Sequence, residues 1–439
     1  MKDISGFQVA VLVICGLLGI LAVMIFGGFL GKGVGTGYAG EVTLWGTIPD
    51  SYLSQILNDF NQANSDKFSL KYEYHMDSDF EDDLVQALAR GAGPDIIFLP
   101  QDLIVKHEDK IYPIPYATLS ERDFMDTYAD IGNIYLTSSG ILGLPYYIDP
   151  MVMYWNKDIF SSSGVVSYPK VWGDFLDLPR ILTKRDDAGN IKQAAVALGS
   201  FRNITHAKDI LSTLFLQVGE KVVVRVPDVA INNKPSEKFS VRFAENENFE
   251  ADNSALRFYT EFANEAKEAY SWNNSLPNSR SYFTSGNLGV YFGRASDFNL
   301  IKKNNTHLNF DVAPVPQRDT AKKKSVFGDV KALAVLKSSQ NPNAAFTAIS
   351  ALAEAEVMKE ITQIINLPPA RRDLLAQETP DPIMSIFYDS AIVSSTWLDP
   401  DKAGSELVFK NIVDSVLSGK VDMATAIYGA GEGISQLLK

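Results

Sequence analysis

Cysteine is almost missing from this chain. The one copy in 439 residues, Cys15, lies inside an apolar run, so no internal disulfide can form. Histidine is scarce too: the four copies, at 75, 107, 206 and 307, are scattered, and none stands at metal-ligand spacing to another histidine or to cysteine. Neither a metal nor a cofactor is expected. A G-x-S-x-G nucleophile elbow, a Walker phosphate loop and a C-x-x-C pair are all absent, which removes sequence support for several large enzyme classes. Positive charge is in deficit. Lys and Arg number 40 against 53 Asp and Glu, a net charge of -13 and a pI near 4.9, which disfavours nucleic acid and anionic membrane surfaces as partners. The acidic run "DSDFEDD" lacks the glycine and terminal Glu of a calcium loop and reads as a solvated helix start. The chain has no low-complexity tail and no short repeat.

What is present begins with Val9 to Leu30, 22 residues without a charge. As a helix this run spans about 33 Å, enough to cross a bilayer. An uncleaved anchor is expected, since a signal peptide has a shorter apolar stretch and small residues before its cut. Lys2, Asp3 and Lys32 orient the span only weakly. "LVIC" at Leu12 to Cys15 loosely matches a lipoprotein box, but the bulky Ile14 and the long apolar continuation favour a residue of the membrane helix. "GKGVGTGYAG" then reads as a flexible tether. Its Gly35, Gly37 and Gly40 fit G-x-G-x-x-G, yet they precede a strand instead of following one, so the dinucleotide reading is rejected.

From Glu41 strand and helix patterns alternate: "EVTLWG", the helix "PDSYLSQILNDFNQAN" with Leu53, Ile56, Leu57 and Phe60 on one face, then "FSLKYEYH". A second helix, with Ser78 and Glu81 as a capping box and Phe80, Leu84 and Leu88 as its stripe, leads to the strand "DIIFL". Ligands of such β-α-β-α-β units bind beyond the carboxyl ends of the strands. Those ends are Trp45-Gly46, His75-Met76 and Pro100-Gln101-Asp102. The stretch "GLPYYIDPMVMYWNKDIF" is cut by Asp149-Pro150, and because proline cannot donate to a ladder, a break between structural bodies is expected there. Later helices are expected around "WGDFLDLPRIL", at Lys208 to Gln217 and at Ala255 to Tyr270. Val222 to Phe249 reads as an added hairpin or loop without an assigned role. "FDVAPVPQ" suggests a second crossing near Val312 to Pro316, before the strand "KALAVL". A third is expected near Ser350 within a mainly helical remainder.

Five stretches in this order, "GAGPDIIFLPQDLI", "GLPYYIDPMVMYWNKDIF", "YPKVWGDFLDL", "YFTSGNLGVYFGR" and "FGDVKALAVLKSSQNPNAAFTAISAL", make the chain from about Gly40 onward resemble extracellular solute-binding proteins of bacterial ATP-driven (ABC) importers, of the maltose-binding-protein-like, carbohydrate-uptake type. The resemblance implies an α/β, two-lobed periplasmic-binding-protein-like fold with three hinge crossings, here preceded by one transmembrane helix. Residues 1–38 would be anchor and tether, 39–148 with 316–350 one lobe, and 151–312 with 351–439 the other. It implies a binding function: capture of a small-molecule solute, a sugar or oligosaccharide, by a monomeric ectodomain on the extracytoplasmic side of the cell membrane, and delivery to ABC permease subunits.

Candidate ligand contacts follow from the same resemblance. Asp149 matches a position where relatives often carry an acid that accepts sugar hydroxyls, and Tyr147 precedes it in the first crossing. Asp102 matches a polar contact after "IIFL". Gly293 and Arg294 follow "LGVYF"; Arg294, Ser296 and Asp297 stand where relatives often carry aromatics, a departure that leaves the ligand class open. Asp329 in "FGDV" and Trp397 in "STWLDPD" complete the set. Trp45 fits two roles equally, a stacking surface for a sugar ring or a core residue. Two other readings compete: an anchored glycan hydrolase using Asp102 and Asp149 as a carboxylate pair, and a receptor or interaction module of the same fold that does not transport.

Overall fold

A computed structural model describes residues 40–231, 234–243, 249–319, 321 and 323–439. The expected membrane helix, Cys15 and most of the tether lie outside the described residues. Among the described residues, no helix is long and apolar enough to cross a membrane.

The first unit forms as the periodicity predicts. Strand β1 (Glu41–Gly46) pairs in parallel with β2 (Ser69–Tyr74) on one side and β3 (Ile96–Pro100) on the other. Helix α1 (Asp50–Ala63) joins β1 to β2 and buries Leu53, Ile56, Leu57 and Phe60, the stripe read from its spacing. Helix α2 (Phe80–Ala89) joins β2 to β3 and buries Phe80 and Leu84. The capping box expected at its start is not formed. Ser78 Oγ donates instead to Asp79 Oδ1 (2.8 Å), and Glu81 accepts from Lys106 Nζ (2.9 Å), because a long-range cation competes better for that carboxylate than a local amide does.

Strand β4 (Leu144–Asn156) is thirteen residues long and runs through Asp149-Pro150 without interruption, so the expected break is corrected. What changes at the proline is the neighbour. Leu144 to Pro150 pair with β10 (Val326–Val335), whereas Met151 to Asn156 lie between β8 (Leu288–Arg294) and β9 (Phe310–Ala313). Pro150 is tolerated because it sits where the β10 ladder ends, opposite Gly328, and its carbonyl still accepts from the Ala295 amide (2.9 Å). Beyond β8 the sheet continues in parallel to β5 (Ile191–Val196), so the strand order is β2-β1-β3-β10-β4-β8-β5.

Beyond β5 in the chain, α3 (Ala207–Gln217) packs on β10, and α4 (Phe249–Glu261) packs on α3. Two helical expectations are corrected. "WGDFLDLPRIL" divides into a short 3-10 turn (Trp172–Phe175) and a helix (Leu178–Leu182), and α4 ends at Glu261, leaving Ala266 exposed. Strands β6 (Val223–Ile231) and β7 (Lys234–Val241) form the added hairpin.

Ser350, where the third crossing was expected, lies inside α6 (Pro342–Leu352), which packs on β10 and β1, and α7 (Ala355–Ile365) packs on α1. Elements touching the second half begin later: α8 (Pro382–Ile392) lies against β4 and β9, and α9 (Lys402–Leu417) and α10 (Met423–Leu437) reach α4. The apolar faces of α6 and α7 are covered by the first half, which keeps the chain there past Ser350.

Tyr135, fully buried, ties two neighbouring strands: its hydroxyl lies 2.8 Å from the carbonyl of Leu99 in β3 and 2.9 Å from that of Val330 in β10. Tyr135→Phe leaves both carbonyls without that donor and is expected to lower the unfolding free energy by about 1–3 kcal/mol. Urea titration checks this as a lower midpoint at unchanged slope; an unshifted midpoint would count against the bridge.

Candidate functional site

Side chains two apart on a strand share a face. On β4 this pairs Tyr147 with Asp149, and on β10 it pairs Asp329 with Lys331. The register sets Asp329 opposite Asp149 and Lys331 opposite Tyr147. Four polar side chains thus meet on the floor of a cleft of about 490 Å³, into which Arg294 also projects from the end of β8. The upper walls are more apolar, with Tyr52 of α1, Ile364 of α7 and Leu300 of α5 (Asp297–Asn304).

Arg294 is the centre of the floor's electrostatics. Its Nη1 donates to Asp329 Oδ2 (3.0 Å) and its Nε to Asp209 Oδ2 (2.8 Å). The ion pairs continue inward: His206 lies 3.3 Å from Asp209 and 2.9 Å from Asp297, and Arg280 Nη1 is 2.9 Å from Asp297 Oδ1. Burial opposes a charged imidazole, but the bonds to Asp209 and Asp297 outweigh it and lift the His206 pKa to about 9. Burial likewise opposes ionised Asp209 and Asp297. Arg294 and His206 outweigh it at Asp209, and His206, Tyr291 and Arg280 do so at Asp297, holding both well below the usual carboxylate range. His206 has a left-handed backbone (φ 62°) just before α3, a strained position for a non-glycine residue that lets both ring nitrogens meet acids.

Asp149 is less well served. Burial pushes its pKa up to about 6, only partly opposed by Arg294 and by Ser296, which bonds it through its side chain and through its amide, the latter donating to Oδ1 (2.9 Å). Asp329 is also pushed up by burial against the pull of Arg294, and its Oδ1 is buried with no hydrogen-bond partner among the described residues. Lys331 Nζ donates to Thr47 Oγ1 (2.8 Å) and Asp77 Oδ1 (3.1 Å). Burial works against its charge, but Tyr147, Asp329 and Asp77 more than compensate and raise its pKa.

The other candidates are placed differently. Asp102 stands beside the cleft and pairs with Lys402 Nζ (3.3 Å), which also reaches Asp77 (3.6 Å). Gly293 supplies space: a Cβ there would come within 2.5 Å of the Tyr291 ring and 2.6 Å of Asp297 Oδ2, which accepts from the Tyr291 hydroxyl. Trp45 does not line the cleft. Its ring packs on His75 (3.9 Å between centroids) and its Nε1 donates to Glu73 Oε2 (2.8 Å), so of its two expected roles it takes the core one. Trp397 is buried near Phe409, donates to Ser212 Oγ (3.2 Å), and borders a different cavity of about 710 Å³ that none of the other candidates line. Lys331, Asp77, Asp209 and His206 were missed. The alternation in "GDVKAL" was signal enough for Lys331; the i,i+3 pair His206 and Asp209 gave no hint of the arginine between strands that it meets.

A family model described as bacterial extracellular solute-binding protein matches residues 55–384. Among solved structures, a cyclo/maltodextrin-binding protein complexed with maltotetraose superposes at a TM-score of 0.69 with 15% identity, covering 92% of this chain and 98% of that one. The sugar-binding protein MalE from Xanthomonas citri gives 0.70 with 16% identity over 91% and 97%. A solute-binding protein of an ABC transporter from Thermotoga lettingae, bound with alpha-D-tagatose, gives 0.66 with 19% identity over 91% and 100%. No curated protein sequence matches. At these identities the likeness is one of fold.

Two substitutions separate packing from polarity. Trp45→Ala opens a cavity and is expected to cost about 3–5 kcal/mol of stability while leaving the cleft intact; a melting curve like the parent's would contradict a core role. For Asp149 the folded pKa, about 6, exceeds the ordinary value of 3.8, so the folded state holds the proton more tightly and this group's contribution to stability falls as pH rises through that window. Asp149→Asn is therefore expected to match the parent near pH 4 and to exceed it by about 2–3 kcal/mol at pH 7, read by denaturant titration at both pH values.

Proposed function

We propose that this chain, which belongs to the bacterial extracellular solute-binding proteins, captures a sugar or oligosaccharide in the cleft beside β4 and passes it to an ABC importer made of separate permease chains. The family binds solutes and is not enzymatic. The observation that carries the reading is the convergence of Tyr147, Asp149, Asp329, Lys331 and Arg294, from three strands, on one cleft rich in hydrogen-bonding groups. Maltotetraose and alpha-D-tagatose in two structures of the same fold support the choice of a saccharide.

In this reading the two halves of the sheet are lobes and the chain crosses between them three times: along β4, between β9 and β10, and between α7 and α8. The lobes are residues 40–148 with 326–376, and 151–312 with 382–439. The packing of α6 and α7 supports the later third crossing. Solute shifts a hinge equilibrium toward the closed form, because only that form touches it from both sides. Residues 1–38 anchor the lobes to the outer face of the membrane, a role resting on the uncharged run from Val9 to Leu30.

A saccharide panel tested by thermal shift on residues 39–439, expressed as a monomer, checks this. At 100 times its dissociation constant the right ligand adds about 2.7 kcal/mol of stability, and small-angle scattering is expected to show a smaller radius of gyration. Binding without compaction would remove the hinge, and a panel without any shift would remove the saccharide.

A further inference from the structure

We propose that the solute carries a protonated amine, an amino sugar in place of a neutral one, and that its ammonium group docks between Asp149 and Asp329. This rests on the saccharide reading above and narrows it.

The argument is a charge balance. From the interior to the cleft the groups alternate: Arg280, Asp297, His206, Asp209, Arg294, Asp329, three cations and three anions joined by contacts of 2.8–3.3 Å. This chain is neutral as it stands. The neighbouring cluster is neutral too, with Lys331 and Lys402 facing Asp77 and Asp102. Lys303 lines the cleft but is exposed. Asp149 is the surplus anion: it has to share Arg294 with Asp209 and Asp329, so one guanidinium serves three carboxylates. It is 8% exposed, stands directly opposite Asp329 in the ladder, and is bonded by Ser296, whose amide donates to Oδ1.

Like charges opposite each other across an antiparallel pair repel, and buried carboxylates that must share one counter-charge are costly. Arg294 reaches only Oδ2 of Asp329, and Oδ1 is left unpartnered. An ammonium group has three donors in a compact head. It supplies the missing charge and reaches both carboxylates, while the sugar's apolar faces meet Tyr52 and Leu300 along the wall. Burial raises the pKa of Asp149 by more than Arg294 and Ser296 lower it.

The experiment is calorimetry on the full chain in detergent, using matched sets of glucose- and galactose-based mono- and disaccharides in hydroxyl, free-amine and N-acetyl forms. At pH 7 the free-amine member of the set that binds is expected to be tighter than both others by about tenfold or more. That advantage shrinks on acidification, as the two carboxylates take up protons. Asp149→Asn, confirmed as folded by its melting curve, is expected to weaken the free-amine form by about tenfold more than the hydroxyl form, so that the preference is lost. Equal or tighter binding of a hydroxyl or N-acetyl form by the parent overturns the amine and leaves saccharide capture standing. Binding of no form in any set, together with no shift across a wide saccharide panel, removes both.

Discussion

Both halves of the sheet draw hydrogen bonds from the same strand, and that sharing is the constraint on which the rest of the molecule depends. Thirteen consecutive residues of β4 satisfy one ladder up to Pro150 and another after it. A buried backbone must pair throughout, so the strand can neither stop at the junction nor slip by one residue without turning Tyr147 and Asp149 away from the cleft. Proline at the changeover removes one donor where no partner asks for it. The halves are joined there by continuous strand, whose register holds the floor together.

That floor is built from ions. Arg294, from β8, binds Asp329, from β10, so a guanidinium on one half of the sheet is held by a carboxylate on the other. Desolvating these groups is expensive, and the arrangement persists because each charge in the alternating series has opposite neighbours within hydrogen-bond distance. Removing one member of such a buried pair commonly costs about 3–5 kcal/mol. The series also explains two further features: the left-handed backbone at His206 and the glycine at position 293, which leaves room for the Tyr291 hydroxyl to reach Asp297.

Much of the scaffold was legible because local rules agree with the tertiary outcome. The stripe of Leu53, Ile56, Leu57 and Phe60 faces the core as its spacing implies, and β1, β2 and β3 are parallel because helices connect them. Failures came where a distant partner overrode a local preference. Glu81 left its capping box for Lys106, Asp149-Pro150 failed to end a strand whose ladders continue on both sides, and the chain stayed with the first half beyond Ser350 because α1 covers α7.

For the cleft the division is sharper. Residue types and period-two spacing determined by themselves that Tyr147 shares a face with Asp149, and Asp329 with Lys331, since strand geometry allows nothing else. The sequence also determined an acidic chain without the histidine and cysteine spacing of a metal centre. Only the tertiary structure decided that these two faces meet in register, that Trp45 packs on His75 instead of lining the cleft, and that Arg294 joins Asp209 to Asp329. The reason is physical: pairing register and ion-pair partnership are set by contacts between residues far apart in the chain, such as Asp149 and Asp329, 180 positions apart, and no local pattern carries that information.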